Sequence, residues 1–198
     1  MRILFAGGGT AGHINPALAI AGTVREREPD AAILYVGAKG GMEERLVPKA
    51  GFDFKSVTIS GFQRKPSWAN LKKNVKTVVQ LFTSTEEAKR IIKEFQPDVC
   101  VGTGGYVSGP VVREAMRLGI PSLIHEQNAF PGVTNKALSK KAAYTMLAVQ
   151  DAKKYLPSTA RCVLTGNPVR PAVIRAEREA SRKKLGLDER PLILSFGG

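Results

Sequence analysis

Arg2-Ile3-Leu4-Phe5-Ala6-Gly7-Gly8-Gly9-Thr10-Ala11-Gly12-His13 decides how this chain folds. It opens with a short apolar run, as expected of a strand covered on both faces. Glycines follow at once, and an apolar helical pattern starts behind them. The plan recurs where Val99-Cys100-Val101 runs into Gly102-Thr103-Gly104-Gly105-Tyr106. A strand that ends in glycines ahead of a helix frees backbone N–H groups and aims a helix dipole at negative charge. Two such turns predict a ligand lying across the top of a parallel sheet, with a nucleotide or phosphorylated sugar as the fitting class.

Working outward, strand-like runs recur at Arg2–Ala6, Ala32–Val36, Phe54–Ile59, Asp98–Val101, Ser122–His125, Tyr144–Ala148 and Arg161–Leu164. Helical patterns lie between them. One covers Ile14–Glu28 with Pro16 in its first turn; another is opened by Gly109-Pro110 and closed by Gly119. A third covers Glu86–Phe95, with Thr85 as its cap and Ala88, Ile91, Ile92 and Phe95 as its buried face. This alternation predicts an α/β fold built on a doubly wound, Rossmann-like parallel sheet. Thr165-Gly166-Asn167-Pro168-Val169-Arg170-Pro171 then reads as a linker. Residues 1–165 form one expected domain, and 166–198 the linker and beginning of a second. That second part holds a charged helix near Ala176–Leu185, closed by Gly186, and a strand over Leu192–Phe196 that runs into Gly197-Gly198. A strand ending on two glycines is the opening of another phosphate-loop half, so the chain is expected to be a fragment.

Thirty Lys and Arg against 17 Asp and Glu give a net charge of +13, which favours anionic partners. The charge is clustered: Arg64–Lys93 carries eight basic and two acidic residues, and Lys136–Lys154 five basic and one acidic. Nucleic acid is not expected, because no RNA- or DNA-binding signature or aromatic stacking platform is present. No apolar run is long enough to span a bilayer, and Met1–Ala6 reads as a first strand rather than a leader. Cys100 and Cys162 lack metal-ligand spacing and read as buried free thiols; no metal cluster is expected.

Gly7-x-Gly9-x-x-Gly12 fits the dinucleotide fingerprint, but that fingerprint also wants an acid at the tip of the second strand. Leu34-Tyr35-Val36-Gly37-Ala38-Lys39 supplies none, which counts against a nicotinamide cofactor. No Gly-Lys-Ser/Thr follows, so a Walker loop is excluded. Tight turns without a ligand would account for one glycine more readily than for five. His13 falls at a helix start, where the dipole disfavours an imidazolium, and so is a candidate general base. His125-Glu126-Gln127-Asn128-Ala129-Phe130-Pro131-Gly132 follows the fifth strand and faces the same crevice. Glu126 is placed there to orient an imidazole or bind a sugar hydroxyl; the plainer alternative is a polar loop in which Asn128 caps the next helix. Trp68–Phe82 reads as an amphipathic helix with Leu71, Val75, Val78, Val79 and Phe82 as its stripe, flanked by Lys72, Lys73 and Lys76. Such a stripe either packs on a sheet or sits on anionic lipid, and Phe62, Arg64, Lys65 and Trp68 ahead of it favour the second.

Four motifs in order carry a family resemblance across the chain. Gly7–Ala21, Gly102–Pro110, His125–Gly132 and Gly166–Arg170 resemble signatures of the MurG family, the N-acetylglucosaminyltransferases that complete the lipid-linked peptidoglycan precursor. The resemblance implies the N-terminal half of a two-domain GT-B enzyme, with UDP-GlcNAc between the domains and lipid I on the first. It implies inverting transfer of GlcNAc to the C4 hydroxyl of N-acetylmuramic acid on the cytoplasmic face of the plasma membrane, without cofactor or metal. Thr10, Ala11, Gly12, Asn128 and Arg170 fall at its donor positions, His13 and Glu126 at its catalytic ones. Gly9, Gly104, Gly105 and Tyr106 belong to glycine loops that face the acceptor diphosphate. Trp68, Leu71, Lys72, Val75, Lys76, Val79 and Phe82 form the expected membrane patch. Ala11 stands where the family usually has glycine, which requires that the backbone there avoid positive φ. A sibling GT-B transferase with another acceptor, or a non-catalytic basic binding module, are the alternatives. Without the rest of the second domain, transfer by these 198 residues alone is expected to be negligible.

Overall fold

The computed structural model describes residues 1–61 and 68–195, the side chains of residues 68–76 and 78 excepted. Seven strands form one all-parallel sheet: β1 (Arg2–Gly7), β2 (Ala32–Ala38), β3 (Asp53–Val57), β4 (Val99–Gly104), β5 (Ser122–Glu126), β6 (Tyr144–Leu147) and β7 (Cys162–Leu164). Their order across the sheet is β3-β2-β1-β4-β5-β6-β7. The chain winds outward from β1 in one direction, returns, and winds outward from β4 in the other. The topological switch point therefore lies between β1 and β4, the two strands that end in glycines. The seven strands expected between Arg2 and Leu164 are all present, each within three residues of its expected bounds.

Alternation along β1 explains why helices cover both faces. Ile3 and Phe5 point one way, into a cluster with Ile14, Ala17, Leu18 and Ala21 of α1 (Ala11–Arg27) and Val47 of α2 (Glu43–Lys49). Leu4 and Ala6 point the other way, toward Ala88, Ile91 and Ile92 of α3 (Trp68–Phe95) and Val111, Val112 and Ala115 of α4 (Ser108–Arg117). The short helix α5 (Val133–Leu138) adds Leu138 to that second cluster. Burying each large aliphatic side chain stabilises the fold by about 1.5–3 kcal/mol.

Four expectations need correction. First, α1 begins at Ala11 rather than Ile14, so Pro16 lies inside the helix and not in its first turn. Proline has no N–H, and the Gly12 carbonyl four residues back loses its intrahelical donor. Second, Trp68–Phe82 and Glu86–Phe95 are one helix of 28 residues, and Thr85 caps nothing. Thr83, Ser84 and Thr85 turn their hydroxyls back onto the carbonyls of Gln80, Leu81 and Leu81, which lets the helix run through. Third, Leu192–Ser195 forms no strand: it hydrogen-bonds to none of the seven, and Leu192, Ile193 and Leu194 are exposed. A strand exists only as one side of a ladder. Phe196, Gly197 and Gly198 lie outside the described residues. Fourth, only Cys100 is a buried thiol; Cys162 is half-buried because it starts β7 at the sheet's edge.

After β7 the chain turns through Gly166 to α6 (Pro171–Ile174), which returns to α1: Pro171 sits over Gly22, and Arg175 pairs with Glu26 at 2.8 Å. The charged helix α7 (Arg178–Lys184) then ends on Gly186, where φ is +66°, as its sequence predicts.

Candidate functional site

The C-terminal ends of β1, β4 and β5 meet at the switch point, and there the glycine loops touch each other. A Cβ at Gly105 would meet the Gly8 carbonyl oxygen at 2.0 Å, a contact no other residue could accept. Gly9, with φ +84°, lies under the Tyr106 ring, where a Cβ would meet Cε1 at 2.7 Å. Much of the glycine content is thus loop-on-loop packing. Gly12 is the exception. It is exposed in the first turn of α1, and a Cβ there would come within 4 Å of nothing but the Thr10 hydroxyl, at 3.6 Å. Nothing around Gly12 requires its glycine, and its backbone stands open to whatever approaches.

His13 projects from that turn toward the second loop. Its Nδ1 lies 3.0 Å from the Thr103 carbonyl and 3.3 Å from Gln127 Oε1. Both partners can only accept, so Nδ1 carries the proton and the lone pair of the neutral ring sits on Nε2. Among the described residues nothing bonds Nε2. Thr103 grips His13 a second time, its hydroxyl donating to the His13 carbonyl at 2.7 Å. A Cβ at Gly104 would press on the His13 ring at 2.8 Å, so glycine at that position leaves room for the imidazole.

Glu126 is buried at the end of β5, and its oxygens are fully engaged. Oε1 accepts from the Asn128 backbone N–H and side-chain amide, each at 3.0 Å. Oε2 accepts from the Gly132 N–H at 3.1 Å and Asn135 Nδ2 at 2.9 Å. It hydrogen-bonds neither imidazole, contrary to expectation, because these four donors curl the 128–135 loop around it. Asn128 in turn caps no helix: Gly132 occupies the N-cap of α5 without a side-chain bond.

A carboxylate does stand at the tip of β2, and the sequence reading missed it. Glu43, wholly buried, folds back so that Oε1 accepts from the Ala38 N–H at 2.8 Å and Oε2 from the Gly9 N–H at 3.3 Å. Gly8, Gly37 and Gly41 all pack against it. The acid is spent inward on the first glycine loop, with no oxygen presented as a dinucleotide fingerprint would present it. Burial first, then Glu43, raises the Tyr35 phenol above its ordinary range, and its neutral hydroxyl donates to the Gly7 carbonyl at 3.0 Å. The same two causes raise Tyr106. The missed signal was Gly40-Gly41, a turn that can bring the next acid back onto a strand tip.

The other expected donor residues are placed as follows. Thr10 is the N-cap of α1 and exposed, its hydroxyl capping no N–H. Ala11 avoids the left-handed region, since Gln96 alone among the described non-glycine residues has positive φ; its methyl is tolerated. Arg170 is exposed at the N-cap of α6, with no side-chain bond to that helix. Of the membrane patch, Val79 and Phe82 are exposed; Trp68, Leu71, Lys72, Val75 and Lys76 lie outside the described side chains. Among the described residues no group of acids, histidines and cysteines is arranged to hold a metal ion, and no helix is long and apolar enough to cross a membrane.

Comparison with known proteins decides the family. Residues 3–147 match the glycosyltransferase family 28 N-terminal domain. The chain belongs to glycosyltransferase family 28. A relative from Acetivibrio thermocellus is named a UDP-N-acetylglucosamine–N-acetylmuramyl-(pentapeptide) pyrophosphoryl-undecaprenol N-acetylglucosamine transferase. It is 48% identical over 199 aligned residues, covering all of this chain and 53% of the relative. The crystal structure of Acinetobacter baumannii MurG superposes with a TM-score of 0.68 at 31% identity, over 84% of this chain and 46% of that one. A UDP-GlcNAc 2-epimerase from Neisseria meningitidis shares the fold at 15% identity and a TM-score of 0.56, over 84% of this family 28 chain and 46% of its own. The chain spans about half the length of the curated relatives it matches.

Proposed function

We propose that this chain is the N-terminal, acceptor-binding half of an inverting transferase that moves GlcNAc from UDP-GlcNAc to the C4 hydroxyl of the N-acetylmuramoyl unit of lipid I, giving lipid II. One observation carries the chemistry: His13 is held by its Nδ1–H at the switch point while Nε2 keeps a free lone pair. Direct inversion needs a base at the attacking hydroxyl and stabilisation of the departing diphosphate, and no covalent intermediate. His13 Nε2 takes the C4 hydroxyl proton as that oxygen attacks C1 of GlcNAc, and the C1–O bond to UDP breaks. First-turn N–H groups of α1 beside Thr10, Ala11 and Gly12 have no helical partners, and with Arg170 and Asn128 they face the donor. Gly9, Gly104, Gly105 and Tyr106 line the acceptor side. Glu126 positions the 128–135 loop rather than exchanging a proton.

Residues 1–165 act as one domain, and 166–198 open the second, which completes the donor site. The exposed Val79 and Phe82 on α3, within a stretch rich in lysine and arginine, support docking on the anionic cytoplasmic leaflet where a lipid diphosphate acceptor would lie.

The test is the intact mass of the native gene product, followed by a transfer assay with UDP-GlcNAc and a lipid I analogue. A mass about twice that of this chain, with GlcNAc transfer, supports the reading. Transfer to another lipid or natural-product acceptor, with lipid I untouched, replaces it with a sibling activity. A native product of this length without transfer overturns it in favour of a binding module.

A further inference from the structure

The chain has only two histidines, and both belong to one run of hydrogen bonds. His13 Nδ1–H faces Gln127 Oε1 at 3.3 Å. The Gln127 amide nitrogen faces three acceptors: His125 Nδ1 at 3.0 Å, the Thr103 carbonyl at 2.9 Å and the His125 carbonyl at 3.1 Å. That crowd of acceptors fixes which end of the amide is nitrogen. His125 Nε2 lies 3.0 Å from the Gly166 carbonyl, which can only accept, so His125 carries its proton there and accepts on Nδ1. Within this run each link donates the same way, from His13 through Gln127 and His125 to Gly166, where the chain leaves the sheet, while the Thr103 carbonyl also accepts from His13 Nδ1–H and the Gln127 amide. Burial lowers the pKa of His125, against smaller raising effects from Gly166 and Glu126, and so keeps the ring in the neutral form this run requires. Glu126, the acid adjacent to His125, is turned onto Asn128, Gly132 and Asn135.

We infer that Gln127 is a positioning residue for the base, and that with His125 it couples the aim of His13 to the seating of the segment that begins at Gly166. The run has one polarity. If the segment moves and Gly166 no longer accepts, His125 can shift its proton to Nδ1, where it meets the Gln127 amide donor. Gln127 must then turn, and an amide N–H would face the Nδ1–H of His13. A base aligned only when the linker is seated would be ready only when the donor half is in place. This inference rests on the reading of His13 as the base.

Two measurements separate the inference from that reading. In this 198-residue chain, long-range proton–nitrogen NMR reports the tautomer and titration of each histidine. Gln127→Glu keeps an oxygen for His13 and adds a charge, so the His13 titration should move up by about one pH unit; Gln127→Leu should leave the His125 proton on Nε2, where Gly166 holds it. In the native enzyme, Gln127→Leu and His125→Phe should each lower kcat about tenfold with the UDP-GlcNAc KM within about twofold, and Gln127→Glu should move the acid limb of kcat upward. His13 titration unmoved by Gln127→Glu, or full turnover in Gln127→Leu, overturns the inference. Full turnover in His13→Ala overturns the reading of the base instead, whatever the NMR of Gln127→Glu shows.

Discussion

Two buried glutamates, one after β2 and one at the end of β5, do the same job in different loops. Glu126 stands in a polar motif that looks catalytic, and Glu43 in a turn that looks like nothing. Each spends its oxygens on N–H donors of its own neighbourhood: four for Glu126, and the Ala38 and Gly9 amides for Glu43. The difference is reach. Glu126 gathers donors from the eight residues 128–135, whereas Glu43 ties a strand tip to a glycine loop 34 residues earlier in the chain. The acid beside the signature histidine is an anchor, and among the described residues no carboxylate touches the free nitrogen of His13, the ring proposed as the base.

The comparison breaks most readily at His13. His13→Ala in the native enzyme should lower kcat by about 10²–10⁴ while the UDP-GlcNAc KM changes little. If Glu126→Ala instead matched that loss with the fold's stability intact, Glu126 would be chemical and the parallel with Glu43 false. We expect Glu126→Ala to destabilise this chain by roughly 4 kcal/mol in urea unfolding, since the buried Asn135 amide and three part-buried donors of Asn128 and Gly132 lose a charged acceptor. Glu43→Ala, which frees two, should cost about half as much, and a larger cost for Glu43 would reverse the ranking.

A pH series sharpens the contrast with the third buried group of this rim. The folded His125 has a lowered pKa, so the unfolded chain binds a proton first as pH falls. Stability should be fully present above about pH 6.5, fall as pH drops through the folded value, and flatten in His125→Phe. Burial lifts the Cys100 thiol to about 12, so iodoacetamide at pH 8 should label Cys162 and leave Cys100 unmodified until the chain unfolds. The smallest effect is expected at Ala11. Ala11→Gly restores the residue usual in the family yet should lower stability by no more than about 1 kcal/mol and leave turnover within twofold.

The sheet was legible because its strands are short apolar runs closed by glycine, proline or polar residues, a pattern set by burial on both faces. The glycine loops marked the switch point for the same reason. Less legible was what depends on distance. His13 and Gln127 are 114 residues apart, and no periodicity announces that an amide oxygen will meet that ring. Glu43 was invisible because its partners are backbone groups, which every residue has. At Thr83-Ser84-Thr85-Glu86 the chemistry itself is ambiguous: the same hydroxyls cap a new helix or fold back on the old one, and packing of Ala88, Ile91 and Ile92 against the sheet settles the matter. The strand expected at Leu192–Phe196 has suitable residues and no ladder partner among those described.

The continuity of α3 has a mechanical side. Twenty-eight residues make a rod about 42 Å long, whereas the six residues of β4 extend about 20 Å. Ala88, Ile91 and Ile92 bolt one end to the core, and Glu87 to Thr58 and Gln80 and Thr77 to Ser60 peg it further along. Its leading turns lie beyond those pegs, with Val79 and Phe82 bare near the outermost one. A load on that end acts through a long lever arm and meets the polar pegs on the chain just after β3 before it reaches the apolar seat.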